Sequence, residues 1–245
     1  MNNYNEQNAH PRDRFITFNE DEHLYTVHGR EMTSVTTVIS SYFEAFDADY
    51  WAAKKAPRLG MTPEQVKAMW ERKSLDARRR GTEMHATIEG YYKGEPMENV
   101  PGDILPLFKE FTALYALQPY RTEWAIYDEE SGIAGTLDFL EFKDGVFTIY
   151  DWKRSEKIIK DGVPCRENHF GKMGFKPIAH VEDTTYWHYA LQVSMYRYIL
   201  EKNYGIDVKG CRLAIFHPNN PMPYVLDMPY MKIEVQAIMN DKRLS

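Results

Sequence analysis

Cysteine is nearly absent: Cys165 and Cys211 are the only two in 245 residues. That excludes a disulfide framework, and two thiolates are too few for a cysteine-ligated iron–sulfur cluster. No apolar run approaches the roughly 18 residues of a membrane-spanning helix, and the N-terminus lacks the hydrophobic stretch of a signal peptide. Positive charge is not in excess either, since the formal net charge is −6. This argues against a generic polyanion binder but leaves room for a local basic track. No internal repeat, low-complexity tract or Gly/Ser-rich linker interrupts the chain. What remains is 43% hydrophobic content, enough to bury a sizeable core. The expected setting is soluble and cytoplasmic, with no membrane partner.

Residues 1–13, MNNYNEQNAHPRD, read as a flexible polar tail. A single domain is expected over 14–245, with an elaboration at 14–80 ahead of a core beginning near Gly81. FITFNEDEHLYTV reads as two short strands, followed by a Ser34 cap and a helix in VTTVISSYFEAF. Thr62, Pro63 and Gln65 form a helix start: a capping threonine, proline at the first helical position and a capping-box partner. That helix runs through EQVKAMWERKSLDARRR, and Gly81 is expected to mark a break or a tight contact before TEMHATIEGYYKG. A helix near DILPLFKEFTALYAL and a strand RTEWAIY follow, then a turn at Ser131-Gly132. Residues 155–182 read as a long irregular loop, which a compact domain carries only for a use. Asp183 is expected to cap the helix TTYWHYALQVSMYRYILEKNYG, closed by Gly205. Two strands, around CRLAIFH and YVLDM, and a helix KIEVQAIMNDKRL end the chain. Helices flanking a mixed central sheet give an α/β (α+β) class.

The segment GTLDFLEFKDGVFTIYDWKRS carries the first chemical signal. Asp144-Gly145 suits a two-residue type I′ turn, which needs positive φ at both central positions. That turn pairs Lys143 with Val146, Phe142 with Phe147 and Leu140 with Ile149, and brings Asp138 opposite Asp151. Period-two alternation puts Asp138, Asp151 and Lys153 on one face. Directly opposed like charges destabilise a strand pair. A divalent cation between them converts repulsion into coordination, since Mg²⁺ and Mn²⁺ prefer carboxylate and water oxygens. Two acids standing apart in water at a solvated hairpin end satisfy the same spacing, and the spacing alone does not choose.

Further signals fall in order around this one. His85 and Glu89 are i and i+4 on one helix face, and Gln192 and Tyr196 repeat that spacing later. Together GTEMHATIEGYY, GIAGTLDFL, YDWKRS and YALQVSMYRYIL resemble the PD-(D/E)XK nuclease superfamily, in its RecB-like branch. That branch includes CRISPR-associated and mitochondrial genome-maintenance exonucleases. SVTTVIS with FDADYW is similar to phage and bacterial members. The resemblance spans Gly81 to Leu200 and implies a restriction-endonuclease-like fold and a Mg²⁺- or Mn²⁺-dependent exonuclease acting on DNA in recombination, repair or phage genome processing. It implies Asp138 and Asp151 as carboxylate metal ligands, the Trp152 carbonyl as a further ligand and His85 as an additional one supported by Glu89. Lys153 would polarise the attacking water, and Gln192 and Tyr196 would help hold the scissile strand. The cysteines of the iron–sulfur members are missing, so no such cluster is expected. A phage-encoded chain would act in the host cytoplasm.

Arg78, Arg79, Arg80, Arg154, Lys157 and Lys160 are candidate phosphate contacts on single-stranded or end-containing DNA. A solvated helix face explains the arginine run equally well. Tyr91, Tyr92, Tyr186, Trp187 and Tyr189 are aromatic enough to stack on bases, but core packing is the better reading for most. Two other functions stay open: a catalytically silent DNA-binding or assembly module, and a metal phosphoesterase for a small substrate. The intact acid–acid–lysine set argues against the first. The long loop and the basic residues favour a polymer over the second.

Overall fold

A computed structural model describes residues 2–20, 22–97 and 100–243. Its first elements are helix α1 (Tyr4–Gln7), strands β1 (Ile16–Asn19), β2 (Leu24–Val27) and β3 (Arg30–Ser34), and helices α2 (Val35–Ser40) and α3 (Ala48–Leu59). Helices α4 (Pro63–Lys93) and α5 (Leu105–Leu114) lead to strands β4 (Pro119–Asp128), β5 (Ile133–Lys143) and β6 (Val146–Lys153). A small hairpin, β7 (Ile159–Lys160) and β8 (Val163–Pro164), precedes helix α6 (Thr185–Asn203). Strands β9 (Val208–Ile215) and β10 (Tyr224–Asp227) and helix α7 (Lys232–Arg243) complete it. The class is mixed α/β, as expected.

Eight strands form one mixed sheet in the order β1-β2-β3-β5-β6-β9-β10, with β4 also pairing with β5. β4 covers one edge of β5 along most of its length. The other edge is shared. β3 runs parallel to its start at Ile133 and Ala134, and β6 runs antiparallel to its end from Phe139 to Lys143. Residues 135–138 therefore lie in a fork between two diverging neighbours. Such a fork is where an α/β sheet opens a crevice for ligands.

The turn that sets this register has φ of +52° at Asp144 and +78° at Gly145, as a type I′ turn requires. The expected pairs Lys143–Val146, Phe142–Phe147 and Leu140–Ile149 form. Leu140 and Ile149 face a core built with α2, α6 and α7, including Val38, Leu191 and Ile238. Phe139, Tyr150 and Trp152 face the opposite core, with Met84 and Ile88 of α4 and Phe108 and Phe111 of α5. Helices on both faces bury both sides of the sheet.

Four local expectations give way to packing. The N-terminal segment is docked rather than loose: the Asn5 and Asn8 side-chain amides donate to the Thr122 and Tyr120 carbonyls, and Asp13 pairs with Arg121 at 2.8 Å. Gly81 neither breaks α4, which continues to Lys93, nor marks a tight contact, since nothing lies within 4 Å of where a Cβ would be. A helical glycine costs about 1 kcal/mol, and burial of Met84, Ile88 and Tyr92 just beyond it outweighs that. The helix starts as expected, with the Thr62–Gln65 capping box. Thr184, not Asp183, caps α6, because the Asp183 carboxylate is 2.9 Å from His188 Nε2. The 155–182 segment is partly ordered by the β7–β8 hairpin and by Ile158, Ile178 and Val181, which are buried. Among the described residues, no helix is long and apolar enough to cross a membrane.

Candidate metal centre

Gly135 opens the fork. A Cβ there would lie 2.8 Å from Tyr196 Cε1 and 3.0 Å from Val35 Cγ2, so only glycine lets α2 and α6 close on β5. Three residues on, Asp138 is 7% exposed, and its Oδ2 accepts the Trp152 N–H at 2.7 Å. The β5–β6 ladder stops at Phe139–Tyr150, one step short of Asp138 and Asp151. The carboxylate of Asp138 thus takes a backbone donor that β6 presents where the pairing ends. Trp152 turns its indole into the opposite core, against Phe139, Phe111 and Tyr92.

His85 comes to the acids from α4. Its Nε2 lies 3.0 Å from the Trp152 carbonyl oxygen, and its Nδ1 is 3.5 Å from Asp138 Oδ1 and 3.8 Å from Glu123 Oε1. Burial pushes the imidazolium down, but Asp138 and Glu123 outweigh it and raise the pKa to about 10. The ring nitrogen Nε2 donates to the carbonyl, and Nδ1 faces the carboxylates. His85 and the Trp152 carbonyl, both implied ligands, are here partners of each other. The His85 ring sits between the Trp152 carbonyl and the two carboxylates.

Asp151 is 1% exposed. Its Oδ2 pairs with Lys153 Nζ at 2.7 Å, and its Oδ1 accepts from Gln192 Nε2 at 3.3 Å. Gln192 also donates to the Tyr196 hydroxyl at 3.1 Å. The later i, i+4 pair is therefore a buried chain that orients one acid. Burial and the neighbouring Asp138 push the Asp151 carboxyl up to about 6, against the pull of Lys153. Asp138 moves the other way: burial is outweighed by His85, Lys153 and the Trp152 N–H, and its pKa falls. Burial pushes Lys153 down, but Asp151 and Asp138 raise it overall.

Glu123 is the residue that sequence reading missed. Between the pairs Thr122–Phe139 and Trp124–Leu137, β4 places it across from Asp138. Its φ is +44°, a left-handed backbone that costs a non-glycine residue about 1–3 kcal/mol. Burial and Asp138 raise its pKa, against the pull of His85, to about 7. Its Oε1 is buried with no hydrogen-bond partner among the described residues. A lone acid inside the apolar strand RTEWAIY was the available signal.

Ligand atoms of His85, Glu123 and Asp138 all lie within 4.8 Å of one another. One imidazole nitrogen with carboxylate oxygens suits Mn²⁺ or Mg²⁺. The unpartnered Glu123 oxygen is consistent with that fit. Glu89 lines the same cleft but is spent on Lys93 at 2.5 Å and Thr122 at 3.5 Å. It supports α4 and stays outside the cluster.

The proposed phosphate contacts divide. Arg79 pairs with Asp76 and Glu83, and Arg80 pairs with Asp76 and Asp103. Arg154 also binds Asp103, at 2.7 Å. These three arginines are structural partners of carboxylates as folded. Arg78, Lys157 and Lys160 are exposed. Of the aromatics, Tyr92 and Tyr186 are core, and Tyr91 packs against Phe108. The Trp187 indole bonds the Arg166 carbonyl, and Tyr189 lies 4.6 Å below the Lys153 ammonium.

No protein-family model and no curated protein matches this chain. A solved structure titled "Crystal structure of SSO0001" aligns with a TM-score of 0.39 and 11% identity, covering 86% of this chain and 74% of that one.

Proposed function

We propose that this chain is a metal-dependent deoxyribonuclease of the RecB-like PD-(D/E)XK type, acting on DNA ends. One observation carries the reading. Asp138, placed where the β5–β6 pairing ends, meets a helix-borne histidine and a strained glutamate in one cleft, which Lys153, paired to the buried Asp151, also lines. Two buried carboxylates beside a third whose Oε1 accepts no hydrogen bond among the described residues are costly for a structural module to keep. The order of GTEMHATIEGYY, GTLDFL, YDWKRS and YALQVSMYRYIL supports the same assignment.

Phosphodiester hydrolysis needs an oriented water, relief of charge developing on phosphorus oxygens, and a stabilised leaving oxygen. His85, Glu123 and Asp138 are the residues that would hold a divalent cation, with Asp151 beside them engaged by Lys153 and Gln192. When bound, Mg²⁺ or Mn²⁺ supplies Lewis-acid polarisation and charge neutralisation. Lys153 Nζ, fixed by Asp151 and by the Tyr189 ring, brings a permanent positive charge to the reacting phosphate. Gln192 and Tyr196 keep Asp151 from rotating away.

The test is incubation of purified protein with end-labelled single- and double-stranded DNA, closed circular DNA and a small phosphodiester, with Mg²⁺, Mn²⁺ or EDTA. Metal-dependent shortening of linear DNA, with the circle left intact, is expected. Cleavage of the small diester alone would make the protein a phosphoesterase. No cleavage of any substrate with either metal would overturn the enzymatic reading.

A further inference from the structure

The cleft does not end at the acids. It encloses about 620 Å³ and reaches a wall made by Phe18, Glu20, His23 and Tyr25, on and beside β1 and β2. That volume is in the range of small-ligand pockets, which suits one nucleotide unit and not a duplex.

The wall is built from aromatic rings. Phe18 stacks on Tyr25 with centroids 4.3 Å apart and planes at 22°, and His23 meets the Phe18 ring at 5.4 Å and 81°. Tyr25 is buried, and its hydroxyl is 3.0 Å from Thr136 Oγ1, two residues before Asp138 on β5. The platform is thereby tied to the strand that carries the metal-binding acid. Phe18 itself is only partly buried.

Charge then discriminates between ligand parts. Lys153 is the only lysine or arginine among the described residues lining the cleft, whereas Glu20, Glu89, Glu123 and Asp138 are acids. A phosphate gains nothing by lying beside Glu20, but the flat uncharged face of a base does gain from an aromatic ring. We propose that Phe18 is a stacking platform for an unpaired nucleobase, and that the cleft therefore takes a single-stranded or frayed DNA end. This rests on the nuclease reading above and names its substrate form.

Two arms test it separately. In the first, a single strand carrying 2-aminopurine at its end is bound to EDTA-treated protein, and base stacking is read as fluorescence quenching. In the second, cleavage with Mn²⁺ compares an ordinary strand, a strand of the same length with abasic residues, and a blunt duplex. Wild type should quench the probe and should cleave the ordinary strand better than the abasic one by about 5-fold or more in kcat/KM. The blunt duplex should be the poorest substrate. Phe18→Leu keeps apolar bulk on Tyr25 but removes the π face, so quenching should fall and the ratio should approach 1. Phe18→Trp should restore both, which a purely structural role does not predict. Unchanged quenching and ratio in folded Phe18→Leu, or a duplex cleaved best, would overturn the platform. If no strand is cleaved, the nuclease reading fails. The quenching arm then decides the platform alone: loss in Phe18→Leu with recovery in Phe18→Trp supports it, and no quenching by wild type overturns it.

Discussion

Adjacent faces of α4 carry two charge clusters that follow opposite rules. On the Arg79–Arg80 side, each arginine meets a carboxylate, and Asp103 also binds Arg154. Each of those charges has an opposite charge beside it, and Asp76, Arg79 and Arg80 lie at the surface. On the His85 side, Asp138, Asp151 and Glu123 outnumber His85 and Lys153, and Asp138 and Asp151 are almost wholly buried. There the imbalance is stored as shifted pKa values and an unpartnered oxygen. A matched cluster serves folding, whereas under the proposed function the mismatched one would take its missing positive charge from a bound cation.

The largest effect should come from removing the lysine of the mismatched cluster. Lys153→Ala should lower kcat by about 10²-fold or more, with the fold retained by circular dichroism. Turnover within a few-fold of wild type would remove Lys153 from catalysis.

Next is Asp138→Asn. Two directly opposed carboxylates, taken alone, should repel less when one loses its charge. The structure reverses the sign, because His85, Lys153 and the Trp152 N–H outweigh burial and favour the Asp138 anion. The metal-free variant should lose about 3 kcal/mol, roughly 6–12 °C in Tm. The upward shift that Mn²⁺ gives wild type should also shrink sharply. Thermal melts with EDTA and with Mn²⁺ check both, and equal Mn²⁺ shifts would place the metal elsewhere.

A pH series separates the clusters more gently. His85 has a folded pKa of about 10 against an ordinary 6.5, so its stabilisation is complete below about 6.5 and is lost as pH rises through about 10. Glu123 and Asp151 are also raised, to about 7 and about 6, so they too favour the native state at low pH and lose that contribution as pH rises through those values. Asp138, with a lowered pKa, opposes this only as pH falls through its carboxylate range. In EDTA, Tm should therefore decline from pH 6 to pH 10, and His85→Ala should flatten the upper part of that slope. Mn²⁺ must displace these protons, so its stabilising shift should grow with pH over the same range. A metal shift independent of pH would contradict this proton linkage.

The smallest effect belongs to the matched side. Arg79→Ala should leave Tm within about 2 °C, since exposed ion pairs contribute little. Its Mn²⁺ affinity by calorimetry should equal that of wild type. A large loss of metal binding would mean that the two clusters are coupled through α4.

Legibility in the sequence followed the range of the physics. The β5–β6 register was readable because Asp144-Gly145 and strand alternation are local, and it carried Asp138, Asp151 and Lys153 to one place. The Thr62–Gln65 capping box was readable for the same reason. Gly81 misled because a local propensity of about 1 kcal/mol was set against burial it could not anticipate. Asp183 misled because His188, five residues on, competed for its carboxylate. Glu123 was passed over because its partner Asp138 is across a strand pair whose register no nearby turn announces.

By itself, then, the sequence determined the α/β class, the type I′ hairpin and the alternation that puts two acids and a lysine on one face. Each of these depends on backbone preferences and periodicity within a few residues. Only the tertiary structure decided that β3 and β6 part around residues 135–138, and that His85 and Glu123 enter the same crevice. It alone tied Arg80 and Arg154 to Asp103 and turned Phe18 toward the cleft. Those outcomes join segments far apart in the chain, where burial and Coulomb energy between distant groups act and local propensity does not reach.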